Sequence, residues 1–491
     1  MTAALAGQAQ AKGGRWRWLP GDHHVHTKYS AKPDTLYTVA QQVAAARRHG
    51  LSWLAVTDHG GPLHRRHGAR QAATDIARAR QDNHDLVLFQ GLEWNVPAGE
   101  HASVLVAPGR DELEVLTEFE RRFDAVVNDT GASTRAHRQL ATEAARWLGA
   151  QIRRGRVAAG VIVVNHPGNS GSYAPSELRA LLDSETSMVA ALEGGPGHQA
   201  AGIPATIGGA GRGRCGYDAS PGTKSHPGYP PAAYRTHGGF DWAVATVGGL
   251  WDALLAEGRS VAVTASSDVH RVFGDGWSSG GPATDDGFYP DPVWTGRPAL
   301  GHGDFWPGQY SRTHLGVRDL THVSVVRALQ AGRTWVDHGR LIDAVEVSVT
   351  GSTSLAPVTL GGVTAVEAGG QVEVTVQVTP AAGPNHAGVL PRLRRVDLIA
   401  GPITGAPGPD TASAADTRVV TSWEIGRSAQ PVRLRHVFSD VEQPFYLRLR
   451  GTDGQVSAPG SDEPRQDPIG EVDPWSDLWF YTSAVFITVT D

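Results

Sequence analysis

The stretch Asp22-His23-His24-Val25-His26-Thr27 decides how the rest of the chain is read. In a strand, side chains alternate between faces, so His24 and His26 point the same way and make half of a metal site. His23 is expected on the opposite face in a structural role. Asp22 shares the ligand face, where a carboxylate can orient an imidazole. A lone buried histidine is ordinarily a satisfied core residue, but two imidazoles turned inward need a common purpose to offset their burial.

Four later segments have the same form, an apolar or β-branched run ending in His, Asp or Glu. They are Leu54-Ala-Val-Thr-Asp58-His59, Phe89-Gln-Gly-Leu-Glu93-Trp94, Val161-Ile-Val-Val-Asn165-His166 and Val261-Ala-Val-Thr-Ala-Ser-Ser-Asp268-Val-His270. Asp58 and His59 converge only if the chain turns after them, which Gly60-Gly61 permits. Asp268 and His270 share a face, and Glu93 would be a buried carboxylate in need of cations or donors. His101 precedes the short strand Ser103-Val-Leu-Val-Ala, where a turn can aim it inward.

Around these segments, strand and helix patterns alternate from Gly21 to about His338. Strands are expected at 21–27, 52–57, 86–93, 102–107, 159–165, 188–193 and 260–266. Helices are expected over Thr35–His49, Gln71–Asn83, Asp111–Val127, Thr134–Arg154, Pro175–Asp183 and Trp242–Glu257. Such alternation predicts a parallel sheet, closed or nearly closed into a barrel. Residues 59–70, 194–238 and 271–313 read as long loops after strands, at the end of a barrel where active sites are built. From Ile342 onward, period-two strands separated by Gly/Pro/Asp clusters predict a β-sandwich. The division expected is an N-terminal tail 1–19, a metal-binding barrel 20–340 and a β domain 341–491.

In this order, His24-Val-His26, Thr57-Asp58-His59-Gly60, Gly91-Leu-Glu93, Asn165-His166-Pro167-Gly168 and Ser267-Asp268-Val-His270 resemble the PHP (polymerase and histidinol phosphatase) metallohydrolases. The resemblance covers roughly residues 20–340. The barrel-plus-β plan is similar to the carbaryl-hydrolase-like branch. The resemblance implies an α/β fold, a distorted (β/α)7 TIM-like barrel, with two or three divalent ions (Zn, Mn or Fe). By that likeness His24, His26, Glu93 and Asp268 hold one ion. Glu93 bridges to a second held by His101 and His166, and His59 and His270, with Asp58 beside them, hold a third. The family's Ser-Asp-Gly after the first histidine pair is here Ser30-Ala31-Lys32, so one ligand of the third position is missing, with Asp34 as a replacement.

A hydrolase using a metal-bridging hydroxide follows from this likeness, with a phosphate ester as first substrate class and a carbamate or carboxylic ester as second. A non-catalytic binding protein with a degenerate site is the third reading. Arg271 is the leading phosphate clamp, with Lys28, Arg65 and Arg66 as rivals, and His198 a candidate acid for the leaving group. Trp94, Asn95 and Trp306 are candidates to shape the pocket. Gly211-Arg-Gly213-Arg-Cys-Gly216 matches a dinucleotide fingerprint by letter alone, with no strand before it.

Composition sets the outer bounds. The chain has 491 residues, 40% of them apolar, with 60 Gly and 31 Pro, which indicates much loop. A net charge of −6 gives no electrostatic case for nucleic acid or an anionic membrane, so the expected partner is a small-molecule ester. The single Cys215 excludes an intrachain disulfide or an all-cysteine metal site, and it has no evident base partner. No apolar run is long enough to span a bilayer. Met1 to Ala11 lacks a charged n-region and an apolar core, and reads as a trimmed export signal or a disordered tail. A cytoplasmic or a secreted location is compatible with this.

Overall fold

The computed structural model describes residues 16–30, 35–354, 356–405, 408–428, 430–456 and 463–490. The apolar runs form β1 (Arg17–Val25), β2 (Trp53–Val56), β3 (Val87–Asn95), β4 (His101–Val106), β5 (Gly160–Val164), β6 (Val189–Gly195) and β7 (Ala262–Ala265). Helices cover them: α1 (Val39–Arg48), α2 (Ala69–Asp82), α3 (Glu112–Phe123), α4 (Arg135–Arg153), α5 (Pro175–Leu182) and α6 (Leu250–Ala256). Local chemistry sets their ends. At α1, Thr38 Oγ1 accepts the Gln41 amide at 3.2 Å while Gln41 Oε1 accepts the Thr38 amide at 2.9 Å, a reciprocal cap worth about 1 kcal/mol. Gly50, at φ +77°, stops the same helix.

Strands β1, β2 and β3 pair in parallel, as do β5, β6 and β7. Between the two sets β4 runs antiparallel to both β3 and β5, which corrects the all-parallel expectation. The physical reason is the short link from Asn95 to His101, far too short for a parallel crossover. This reversal puts the start of β4 beside the ends of β3 and β5, with Asn95 opposite His101 and Ala102 opposite Val164.

Two strands escaped the sequence reading, β8 (Ser311–Val317) and β9 (Thr334–His338), joined by α7 (His322–Gln330). β8 pairs antiparallel with β1 and β9 with β8. Both are buried, yet Arg312 and His314 interrupt the apolar pattern, because each pairs with Asp337 (2.6 and 3.0 Å). The loop expected at 271–313 therefore ends at Tyr310. Likewise residues 64–68 of the expected 59–70 loop are helical and run into α2, and the expected Trp242–Glu257 helix breaks at Gly248, whose φ is +72°.

The sheet path is open, but β7 returns toward its start through single bonds. Asp268 N donates to His24 O at 2.9 Å, Val25 and Val269 form an isolated parallel bridge, and Thr313 Oγ1 donates to Ala265 O at 2.7 Å.

After β10 (Ile342–Gly351) the chain is strand-rich: β11 (Val363–Glu367), β12 (Gly370–Pro380), β13 (Arg395–Pro402), β14 (Arg418–Glu424), β15 (Val432–Val441), β16 (Phe445–Thr452), β17 (Trp479–Thr482) and β18 (Val485–Thr490). Strands β10, β12 and β15 make a separate antiparallel sheet, whose valines share a hydrophobic cluster with Leu398, Leu447, Leu449 and Phe480. The other six join the large sheet, because β17 pairs with β9. One ladder thus runs from the strands that carry the candidate ligands into the C-terminal part. No helix among the described residues is long and apolar enough to cross a membrane.

Candidate metal centre

Since only β4 is reversed among β1 to β7, the ends of β1, β2, β3, β5, β6 and β7 and the start of β4 meet at one end of the sheet. There the expected residues converge. His24 Nε2 lies 2.9 Å from Glu93 Oε1 and 3.2 Å from Asp268 Oδ1, and His26 Nε2 lies 2.9 Å from the same Asp268 oxygen. Glu93 Oε2 is 2.6 Å from His59 Nδ1, and Glu93 Oε1 is 3.1 Å from His101 Nδ1 and 3.5 Å from His166 Nε2. His59 Nε2 faces His270 Nε2 at 3.0 Å.

The far nitrogens settle which atoms face the centre. His24 Nδ1 lies 3.1 Å from Glu193 Oε1, His26 Nδ1 3.1 Å from Ser30 Oγ and His270 Nδ1 2.9 Å from the Asp268 carbonyl. A carbonyl or carboxylate only accepts, so those Nδ1 atoms of His24 and His270 carry protons and their Nε2 atoms face inward. His24 Nε2 and His26 Nε2 are nevertheless only 3.1 Å apart. Nitrogens brought this close are compatible with a shared cation, since ligand atoms about 2.0–2.2 Å from a metal sit about 3 Å from one another. Glu93 Oε2 and Asp268 Oδ1 are buried and face imidazole nitrogens, His59 Nδ1 at 2.6 Å and His26 Nε2 at 2.9 Å, which fits carboxylate oxygens sharing a cation with those rings. Three-residue groups with the required spacing include His24–His26–Glu93, His59–Glu93–His101, His26–His59–His270 and Glu100–His101–His166. The donor set of imidazoles and carboxylates suits Zn, Mn or Fe.

Electrostatics of the metal-free cluster follow from burial and its carboxylates. Burial opposes charge on Glu93 and Asp268, but the surrounding imidazoles outweigh it and hold both carboxyls well below the usual range. Burial also opposes charge on His24, yet Asp268, Glu93 and Glu193 together raise it well above an ordinary histidine. His26 has no such surplus: burial, then His270 and His59, push it well below. Backbone strain gathers here too. His166, His198 and Asp268 take φ of +27°, +53° and +43°, a region costing non-glycine residues about 1–3 kcal/mol each.

No family model matches the sequence, and no curated protein matches it. Among solved structures the chain is similar to a two-domain protein from Bacteroides vulgatus containing a predicted PHP-like metal-dependent phosphoesterase. That match has a TM-score of 0.38 and 12% identity, and covers 94% of this chain and 99% of that one. A second is the lesion-specific endonuclease Q of Pyrococcus furiosus, with a TM-score of 0.32 and 13% identity over 64% of this chain and 56% of that one.

Several expected residues are placed differently from their sequence reading. Asp22 orients no imidazole. Its oxygens accept the amides of His24 and Ser267, both at 3.0 Å, and so tie β1 to the segment after β7. The residue that holds the His24 ring is Glu193, at the end of β6, which also accepts the His166 amide at 2.8 Å and the Ser266 hydroxyl. Met188-Val-Ala-Ala-Leu-Glu193 has the same apolar-run-then-acid form as the strand ending in Glu93, so its signal was present. His23 does not face away, because the β1–β2 register shifts between Asp22 and Val25 and brings its Nε2 within 3.7 Å of Glu193.

Asp58 accepts the Thr27 amide (2.5 Å) and hydroxyl (2.8 Å), and, like Asp268, it falls in none of the three-residue groups among the described residues. Ala31 and Asp34 lie outside the described residues. Lys28 pairs with Asp291 at 2.5 Å. Arg65 and Arg66 line a surface groove with Arg70, Arg121, Glu114 and Glu118. Arg271 is half-buried next to His270, and its amide donates to Asp304. Trp94 is core, packed on Phe119 with its indole donating to Phe123 O, and the Asn95 side chain donates to Asp124 at 2.9 Å. Trp306 packs against Tyr37.

Proposed function

We propose that this chain is a divalent-metal-dependent hydrolase acting on a small-molecule phosphate ester. The observation that carries the reading is the buried meeting of His24 and His26 Nε2 with Glu93 and Asp268 within about 3 Å of one another. In this reading His24, His26, Glu93 and Asp268 hold one ion, Glu93, His101 and His166 a second, and His59 and His270 belong to a third position. Bound divalent ions supply Lewis acidity and an acidified water at neutral pH.

The chain's own residues do the rest. Glu193 and Ser30 hold the two first imidazoles in the tautomer that offers Nε2. Asn165 fixes Glu93 by donating to Oε1 at 3.1 Å while its own oxygen accepts the Ser103 amide. Arg271, next to His270, is assigned to binding the ester's phosphate oxygens. A polar rim supports an anionic ester over an aryl carbamate: the most exposed members of the cluster are His198 and His101, with side chains 33% and 18% exposed. We assign the chemistry to residues 20–340 and a bracing role to 341–491, in keeping with the ladder that joins β9 to β17.

The test is a side-by-side assay of p-nitrophenyl phosphate, bis-p-nitrophenyl phosphate and an aryl carbamate, with metal content measured on the same preparation. Phosphatase activity that follows metal content and disappears in His24→Ala and Asp268→Asn supports the reading. Turnover of the carbamate alone transfers the assignment to the second ester class. Full activity in both variants, with no bound metal, removes the site altogether.

A further inference from the structure

His198 was expected as an acid for the leaving group, and its surroundings assign it another task. It follows β6, on a stretch opened by Gly195 and Gly197, and its Nε2 lies 3.1 Å from Asp268 Oδ2. Its Nδ1 lies 2.5 Å from Asp304 Oδ1. Asp304 is buried, and its other oxygen accepts the amides of His270 and Arg271, each at 2.6 Å. That carboxylate is therefore immobilised by three donors and fixes the imidazole it holds.

The arrangement repeats what holds His24. There a buried carboxylate takes Nδ1–H and leaves Nε2 pointing at a centre carboxylate. Asp268 is flanked on both oxygens in this way, with Oδ1 toward His24 and His26 and Oδ2 toward His198. With Asp304 on Nδ1, His198 Nε2 is held toward Asp268 Oδ2, where it donates a proton to the carboxylate or, with that proton displaced, offers a lone pair to a cation between them. The chain also accepts strain to build this: His198 and Asp268 both have positive φ, and Gly197 is packed so tightly that an added Cβ would lie 2.2 Å from Asp268 Cβ. His198, His270 and Asp304 together have ligand-like spacing.

We propose that His198 is a metal ligand on the outer side of the centre, shared with His270 and Asp268, and that Asp304 is its positioning residue. This supplies from the β6 and 271–310 loops a ligand that Ala31 does not provide at the Ser-Asp-Gly position. It rests on the reading of the centre as a divalent-metal site.

The test uses the full chain, stripped with EDTA and titrated with Mn²⁺ by calorimetry, with ion content by mass spectrometry and the visible spectrum of the Co²⁺ form as a second readout. His198→Ala and the ring-preserving His198→Phe are expected to bind one equivalent fewer, or to weaken one equivalent more than about 100-fold, and to change the Co²⁺ spectrum. Asp304→Asn is expected to weaken that same equivalent about 10–100-fold while the full number still binds at saturation. Folded His198 variants that bind the same number of ions with unchanged affinities and spectrum overturn the proposal and return His198 to a proton-donor role. If His24→Ala loses ions while the His198 variants do not, only this inference falls. If the unaltered chain takes up no ion, the metal reading falls with it.

Discussion

Glu193→Gln removes one charge from behind the centre without changing the shape of the side chain. Glu193 is fully buried, with Oε1 facing His24 Nδ1 at 3.1 Å and Oε2 taking the His166 amide at 2.8 Å. A carboxylate accepts at both oxygens, whereas an amide accepts at one end and donates at the other. The variant can therefore satisfy the His24 ring or the His166 amide, but must turn an N–H toward the other. An unsatisfied buried donor costs about 1–3 kcal/mol. Loss of the group orienting a metal-binding imidazole lowers affinity about 10–100-fold, or about 1.4–2.7 kcal/mol. The expected outcome is a Mn²⁺ affinity lower by that factor for the tightest equivalent, measured by calorimetry. Urea unfolding of the EDTA-treated protein should show a stability loss of about 1–3 kcal/mol. Glu193→Ala, which removes both acceptors, should be worse on both counts. A folded Glu193→Gln protein whose Mn²⁺ affinity stays within about twofold of the parent would refute the claim that this carboxylate orients the His24 ligand.

Three further outcomes are expected. Gly197→Ala should reduce metal affinity and hydrolysis together, because its Cβ would meet Asp268 Cβ at 2.2 Å and the Ser267 carbonyl at 2.3 Å; unchanged metal binding would show that this close approach is slack. Burial opposes ionisation of Asp337, but Arg312 and His314 outweigh it and bring its pKa from 3.8 down to about 2, a contribution to stability on the order of 2 kcal/mol. With the folded value below the unfolded one, that contribution is whole above pH 3.8 and disappears as the pH falls through 2. Asp337→Asn, which leaves Arg312 buried with its charge uncompensated, should cost about 3–5 kcal/mol at pH 7 in a urea titration, and a loss near zero would contradict the pairing. Finally, added Mn²⁺ should raise the melting temperature of the EDTA-stripped protein in a concentration-dependent way, by the equivalent of about 2.7 kcal/mol at 100 times Kd. A melting curve indifferent to Mn²⁺ would mean that the folded centre does not bind it.

Much of the centre was legible because strand physics is local. An apolar run ending in His, Asp or Glu announces a buried strand whose last side chains leave the core, and His24, His26, His59, Glu93, His166, Asp268 and His270 all have that form. One helix start was legible for the same reason, Thr134, which opens the expected helix and caps α4, whereas α1 was expected from Thr35 and starts instead at the Thr38–Gln41 cap. The β6 run ending in Glu193 had the same form, and it shows that an apolar run ending in an acid marks the centre without saying whether the acid meets a metal or a histidine.

Other features exist only through contacts made at long sequence separation. Asp304 lies in a loop with no periodicity, and its partnership with His198 spans 106 residues. Strands β8 and β9 were hidden because Arg312, His314 and Asp337 are tolerable in a buried sheet only as a set, and no one of them signals the others. The reversal of β4 and the register shift beside His23 are choices of pairing partner, which alternation along a single strand does not encode. Sequence alone thus determined which residue types end the buried strands, through residue type and local period. The tertiary structure decided which imidazole each carboxylate serves, because that depends on which strand ends are brought within hydrogen-bond reach.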